Sequence, residues 1–241
     1  MLSAIRAASV SINFETYIYW SGDIGRAFAD ALAERARHWI KVTGDVQHGP
    51  DYFPTLVPAG SGAAQMFSSS PSGGSESMQL MYLLGIPASH SIDLSAAYFA
   101  PDALTLQALV EALERGVKLR IVVPGEHIDS DTVRKGSRAN WGPLLAAGAV
   151  IAEYAPTMYH CKVMIVDGLP VSVGSTNFDN RSFRLNDEAT LNVVEKAFAS
   201  MQTATFEADL ARSHRVTHAQ WLERPLRERV IEAASILSTQ L

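Results

Sequence analysis

The most informative segment of the chain, residues 160–194, reads HCKVMIVDGLPVSVGSTNFDNRSFRLNDEATLNVV. Its alternation of apolar and polar residues predicts three short β-strands, at 162–166, 171–174 and 188–194. His160 and Lys162 are two residues apart, so their side chains leave the same face of an extended strand. Polar side chains on a face where a core strand would be apolar indicate a candidate site.

A second polar group follows at the end of the next predicted strand. Gly174 permits close backbone approach, and Ser175 and Asn177 supply compact hydrogen-bonding groups. A histidine, an ammonium group and two neutral donors that converge on one point are suited to binding a phosphate. The segment therefore predicts a phosphate site formed by these residues.

Asp167 has a different geometric relation to the predicted site. It lies seven residues after His160, at the far end of the first strand. Because side chains alternate between the two faces of a strand, this odd offset directs Asp167 away from His160. From the residues alone, we expect a salt bridge or a turn cap at Asp167.

The rest of the chain alternates strand patterns with helix patterns. Strands are predicted at 10–19, 91–98, 118–124 and 150–154, and helices at 24–37, 103–115, 131–147 and from about 196 onward. Residues 38–79 are rich in Gly, Pro and Ser and are predicted to be loop. This order indicates an α/β fold.

A weak internal repeat is present at an offset of 80 residues. It pairs the first strand and helix with the second, with identities such as Ile12 with Ile92 and Glu34 with Glu114. The second copy continues into the polar segment at 160–177, whereas the first copy runs directly into loop-like sequence. The first unit is therefore predicted to be truncated.

The pattern H-x-K-x4-D-x6-G-S-x-N, met from His160 to Asn177, resembles the HKD signature of the phospholipase D superfamily. The flanking segments YFAPD at 98–102 and NFDNRSFRLNDE at 177–188 resemble the second half of bacterial cardiolipin synthases. The resemblance implies an α/β fold with a phospholipase D-like mixed β-sheet flanked by helices. It also implies a truncated first module at 1–37, a loop-rich connection at 38–79 and a complete module at 80–241.

The resemblance implies a role for each motif residue. His160 would attack phosphorus to form a phosphohistidine, with Lys162 and Asp167 counted with it as catalytic residues of the motif. Lys162, Ser175 and Asn177 would bind the phosphoryl oxygens. Glu188 would orient an active-site imidazole. The scheme needs no metal and no cofactor.

The family reaction also needs a second histidine from another HKD motif, and this chain carries one motif. A homodimer that supplies the second motif would give a cardiolipin synthase-like phosphatidyltransferase acting on a phosphatidylglycerol-like phospholipid. Two alternatives stay open: a catalytically inactive half-site remnant that binds phospholipid head groups, and a dimeric single-motif, nuclease-like phosphodiesterase.

Composition limits the partners and the location. The net charge of −5 argues against nucleic acid, because non-specific binding relies on a positive surface. No window has the roughly 18 apolar residues of a spanning helix, and no signal-peptide pattern opens the chain. We therefore expect a cytoplasmic protein with peripheral contact at the inner face of the membrane.

Three further features are interpreted as structural. His127 and Asp129 lack a third metal ligand nearby and are predicted to lie in a polar loop. His214 and His218 are four residues apart and are predicted to lie on a solvated helix face. Cys161 is predicted to be a small buried hydrophobic residue.

Overall fold

The computed structural model describes residues 2–9, 12, 23–35, 62–70, 73–74, 86 and 90–239. The chain divides into two compact units, residues 1–60 and 61–241. The first unit contains helices α1 (Leu2–Ala7) and α2 (Asp23–Arg35). The helix predicted at 24–37 is thereby confirmed, whereas the strand predicted at 10–19 lies outside the described residues except for Ile12.

The second unit contains the sheet and the remaining helices. Its strands are β1 (Ala63–Ser69), β2 (Ser91–Ala96), β3 (Phe99–Ala100), β4 (Lys118–Pro124), β5 (Val150–Tyr154), β6 (Lys162–Val166), β7 (Pro170–Gly174), β8 (Phe178–Asp179), β9 (Glu188–Val194) and β10 (Ser213–Val216). Its helices are α3 (Ala103–Glu114), α4 (Asp131–Ala139), α5 (Trp141–Ala146), α6 (Asn180–Arg184), α7 (Lys196–Ala211), α8 (His218–Leu222) and α9 (Leu226–Thr239).

Eight strands form one mixed sheet in the order β1-β9-β7-β6-β2-β4-β5-β10. The strands β2, β4 and β5 are parallel, and the other pairs are antiparallel. The short strands β3 and β8 form a separate parallel pair. The strands β1, β2, β4, β5 and β7 therefore all end at one edge of the sheet, where β6 and β9 begin.

Apolar residues cover both faces of the sheet. On one face, Ile92 and Leu94 of β2 belong to a cluster that includes Leu109 of α3 and Trp141 of α5. On the other face, Ala199, Phe206 and Leu210 of α7 pack with residues of β4, β5, β6 and β7. Because helices bury both faces, the loops at the strand ends are where polar side chains can meet a ligand.

Several helices begin at a side chain that accepts hydrogen bonds from their first turn. Asp102 accepts from the Thr105 N–H at 2.9 Å and begins α3, and Asp179 accepts from the Ser182 N–H at 2.7 Å and begins α6. Such caps satisfy backbone donors that have no partner within the helix. They fix the direction in which each helix leaves the polar edge of the sheet.

The structure differs from the sequence-based expectations in several elements, and three of these differences correct individual predictions. Strand β1 lies within the predicted loop at 38–79, and it pairs with β9 from Ala63 with Val194 to Ser69 with Glu188. The helix predicted at 131–147 is interrupted at Asn140, because Pro143 has no N–H for a continuous helix and its ring would clash there. His214 lies in β10 and His218 in α8, so the prediction of one helix for both was wrong.

Candidate active site

The polar residues of the motif gather at the edge where the parallel strands end. Ala96 at the end of β2 pairs with Lys162 at the start of β6, and Gly174 at the end of β7 pairs with Thr190 of β9. His160 lies two residues before Lys162. The topology thus brings His160, Lys162 and the Gly174 segment to one edge of the sheet.

His160 is exposed at this edge and lies against Tyr98, which follows β2. The two rings contact edge to face, with their centroids 5.8 Å apart. The pKa of His160 lies below its ordinary value because surrounding atoms desolvate the ring and the Lys162 ammonium repels a second positive charge. The Asp129 carboxylate acts in the opposite direction. The neutral imidazole is therefore the favoured form near neutral pH.

Lys162 is half-buried, and its Nζ donates a hydrogen bond to the His160 carbonyl oxygen at 3.3 Å. Desolvation lowers the pKa of Lys162, and the charge of the Glu188 carboxylate is the largest influence that raises it. A cation in a partly desolvated position attracts an anionic ligand more strongly than one in bulk water. Lys162 is thus suited to binding a phosphoryl oxygen.

Gly174 is required by the close approach of β7 to β9. A Cβ at this position would lie 2.2 Å from the Ala189 carbonyl oxygen and 2.6 Å from the Thr190 Cα, both backbone atoms. The next residue, Ser175, donates its N–H to the Ala189 carbonyl oxygen at 2.9 Å. The absent side chain therefore allows β7 to place Ser175 directly beside β9.

The exposed Ser175 and the buried Glu188 form a hydrogen-bond network that links the end of β7 to β9. The Ser175 hydroxyl donates to Glu188 Oε2 and accepts from the Ala189 N–H at 3.0 Å. The other oxygen, Glu188 Oε1, accepts from Asn186 Nδ2 at 3.1 Å. Both carboxylate oxygens are engaged within this network. The imidazole-orienting role of Glu188 and the phosphate-binding role of Ser175 stay predictions.

Asn177 carries an unsatisfied polar atom at the same edge. Its Oδ1 is buried and has no hydrogen-bond partner among the described residues. The preceding residue, Thr176, is buried and shares a hydrogen bond of 2.8 Å with Thr190, which fixes the backbone at this point. Buried polar atoms are rarely left without a partner, so Asn177 is a candidate ligand-binding residue.

Asp167 lies away from the other motif residues, in the turn after β6. Its Oδ1 accepts from the backbone N–H groups of His90 and Ser91 at 2.6 and 2.7 Å. Its backbone has φ 51°, a left-handed conformation that Asp tolerates better than most residues. The strand β6 separates Asp167 from Lys162 by roughly 16 Å at about 3.3 Å per residue. Asp167 binds the start of β2 and does not join the cluster around His160.

The sequence analysis missed Asp129 as a residue of this site. It lies in the loop between β4 and α4, and the Tyr98 hydroxyl donates to its carboxylate at 2.7 Å. The charge of Asp129 raises the pKa of both His160 and Lys162. The signal that could have identified Asp129 was its position after β4, the strand parallel to β2. The carboxyl ends of parallel strands share an edge of the sheet.

Two other observations concern metals and the thiol. Within the part of the chain that the structure describes, no group of three or more His, Cys, Asp or Glu residues could hold a metal ion. Cys161 is exposed, so the prediction of a buried thiol was wrong. The strand β6 begins only at Lys162, and strict alternation does not extend back to Cys161.

The mixed sheet and this polar edge define a phospholipase D-like α/β domain. Residues 87–210, just over half of the chain, match the family described as cardiolipin synthase, PLD-like domain. The chain belongs to this family, which lies within the phospholipase D superfamily that the sequence resembled. The predicted superfamily and the predicted α/β fold are confirmed.

Individual relatives agree with this assignment. The major cardiolipin synthase of Bacillus subtilis is 35% identical over 189 residues, which cover 78% of this chain and 39% of that protein. The chain spans about two fifths of the length of the curated relatives it matches.

Two solved structures share the fold. Nuc of Salmonella typhimurium, a phospholipase D family member, superimposes with a TM-score of 0.56 at 22% identity, covering 65% of this chain and 99% of that one. The phosphatidylserine synthase of Haemophilus influenzae superimposes with a TM-score of 0.61 at 13% identity, covering 90% of this chain and 54% of that one.

Among the described residues, no helix combines the length and the apolar character needed to cross a bilayer.

Proposed function

We propose that this chain is a phosphatidyltransferase of the cardiolipin synthase type, acting through a phosphohistidine on His160. The observation that carries the proposal is the meeting of His160, Lys162 and Asn177 at one sheet edge, in a chain of this family. A nucleophile beside a cation suits the displacement of an alcohol from a phosphodiester, and the Nδ2 group of Asn177 would donate a hydrogen bond to a phosphoryl oxygen.

The first step forms a bond between a ring nitrogen of His160 and phosphorus. The P–O bond to the leaving alcohol breaks, its electron pair stays on that oxygen, and a second histidine protonates the alkoxide. An incoming alcohol then gives its proton to the second histidine and attacks phosphorus. This attack breaks the bond between phosphorus and His160 and releases the free imidazole. The lowered pKa of His160 supports its role as the nucleophile, because only the neutral ring has a free electron pair.

The second histidine is proposed to come from His160 of another copy of this chain. The sequence contains one HKD motif, and a two-fold interface places the same residue of each copy on both sides of a shared site. Activity would then require the dimer, and a separated chain would keep ligand binding without turnover.

The proposed substrate is a phospholipid of the phosphatidylglycerol type, with a second such molecule as the acceptor alcohol. The names of the relatives, cardiolipin synthases, support this substrate class. The enzyme would meet its substrate peripherally, at the cytoplasmic face of the membrane. Lys162 would bind the anionic phosphodiester, and Asn177 would contact the same group.

The test is turnover of phosphatidylglycerol vesicles by the purified chain, with EDTA present, followed by mass spectrometry of the lipids. We expect cardiolipin formation that His160→Ala abolishes and that His214→Ala, on the exposed strand β10, leaves unchanged. Vesicle binding without turnover in a folded sample would support the inactive half-site instead. Cleavage of a chromogenic phosphodiester without lipid turnover would support a phosphodiesterase.

A further inference from the structure

The Asp129 carboxylate is linked to His160 through an aromatic residue. The Tyr98 hydroxyl lies 2.7 Å from each oxygen of the Asp129 carboxylate, and the Tyr98 ring meets the imidazole edge to face at 5.8 Å between centroids. A hydroxyl equidistant from both oxygens defines the orientation of the carboxylate. The three side chains therefore form one contiguous group, with Tyr98 in the middle.

The fold explains why these residues meet. Tyr98 lies between β2 and β3, and Asp129 follows β4, the parallel neighbour of β2. Both segments therefore leave the sheet at the edge that carries His160. Neither Tyr98 nor Asp129 belongs to the HKD motif.

Glu188, another carboxylate whose charge acts on Lys162, is engaged elsewhere. Its two oxygens accept from Ser175 and Asn186, and it lies buried between β7 and β9. The charged groups that act on the imidazole are Lys162 and Asp129, of opposite sign. Asp129 is thus the negative charge that acts directly on His160.

We propose that Asp129, held by Tyr98, is a positioning residue for His160 that stabilises positive charge on the ring as the phosphohistidine forms. This inference rests on the proposed function. When the neutral ring attacks phosphorus, the nitrogen gives up electron density and the imidazole becomes cationic. A fixed carboxylate lowers the energy of that state more than the energy of the neutral ring.

The test is an NMR pH titration of the His160 imidazole, which needs no turnover. The chain contains seven histidines, so the His160 signal is assigned by its loss in His160→Ala. We expect Asp129→Asn to lower the pKa of His160 by roughly half a unit to one unit. The matched control is Asp131→Asn, an exposed carboxylate in the first turn of α4 that pairs with Lys135.

A second variant separates the role of the charge from that of its support. Tyr98→Phe keeps the ring against His160 but removes the hydroxyl, so the carboxylate turns toward solvent and the His160 pKa falls in the same direction. In the lipid assay, Asp129→Asn should reduce kcat about tenfold with KM unchanged, less than the 10²-fold or more that loss of a general acid or base costs.

Each outcome of the titration decides the proposal. A lower His160 pKa in Asp129→Asn, with Asp131→Asn unchanged, supports it even if the chain shows no lipid turnover. An unchanged His160 pKa in folded Asp129→Asn overturns it, and so does an equal shift in Asp131→Asn. If Asp129→Asn does not fold, an unchanged pKa in Tyr98→Phe overturns it.

Discussion

Gly174→Ala tests whether the site depends on the close approach of β7 and β9. The added Cβ would lie 2.2 Å from the Ala189 carbonyl oxygen and 2.6 Å from the Thr190 Cα. Ordinary contacts are about 3.5 Å, so the two strands must separate by about 1 Å. Both closest atoms belong to the backbone of β9, so no side-chain rotation relieves the clash.

The expected cost follows from this geometry. Overpacking against rigid neighbours costs about 1–3 kcal/mol, and we expect the upper end here. For a chain of this size, about 3 kcal/mol lowers the Tm by about 6–12 °C. The separation also breaks the Ser175–Glu188 contact and displaces Asn177 relative to His160. A displacement of about 1 Å reduces the rate about 100-fold.

The assay combines thermal unfolding with lipid turnover, and Gly73→Ala is the control. Apart from its chain neighbours, no atom of the described residues lies within 4 Å of a Cβ built on Gly73, so this variant should stay within about 0.5 kcal/mol of the parent. Gly174→Ala with the parent's Tm and turnover would show that the strands do not require a glycine, and would refute the reasoning.

Three further predictions concern other groups. Asp167→Ala removes the acceptor of the His90 and Ser91 N–H groups, so it should lower the free energy of unfolding in urea by about 1–2 kcal/mol. The kcat of the folded protein should not fall. A large loss of kcat with unchanged stability would instead place Asp167 in the chemistry. Because the Lys162 cation lowers the pKa of His160, Lys162→Gln should raise that pKa in an NMR titration, and a fall would contradict the assigned charge effect. Glu232→Gln leaves the buried Arg224, whose Nε lies 2.9 Å from the Glu232 carboxylate, without this counter-ion. We expect the free energy of unfolding in urea to fall by about 3 kcal/mol. An unchanged urea midpoint would disprove this prediction.

The strand and helix pattern of the second unit was largely predictable from periodicity. The strands at 118–124, 150–154, 162–166 and 188–194 appear where alternation or an apolar run indicated them. Strand β1 carried no such signal, because most of its side chains are exposed and its place in the sheet comes from backbone pairing with β9. Edge strands of this kind have too little burial to produce a hydrophobic pattern.

The candidate site was predictable only as far as its motif. Lys162 is the first residue of β6 and His160 lies two residues before it, so the motif spacing alone places both residues at the same edge. The engagement of Glu188 by Ser175 depends on how closely β7 and β9 approach, which no local pattern encodes. Asp129 reaches Tyr98 through the loop after β4, whose position depends on the parallel pairing of β4 with β2. Its role could be recognised only once that topology was known.

The most direct test of the central claim is activity as a function of the fraction of His160→Ala chains co-expressed with the parent chain. If each site needs His160 from two copies, activity follows the square of the fraction of chains that carry His160. An equal mixture of parent and His160→Ala chains then retains about one quarter of the activity of the parent chain alone. If one chain carries a complete site, the same mixture retains about one half. A value near one quarter is the result we predict, and a value near one half would contradict the shared site.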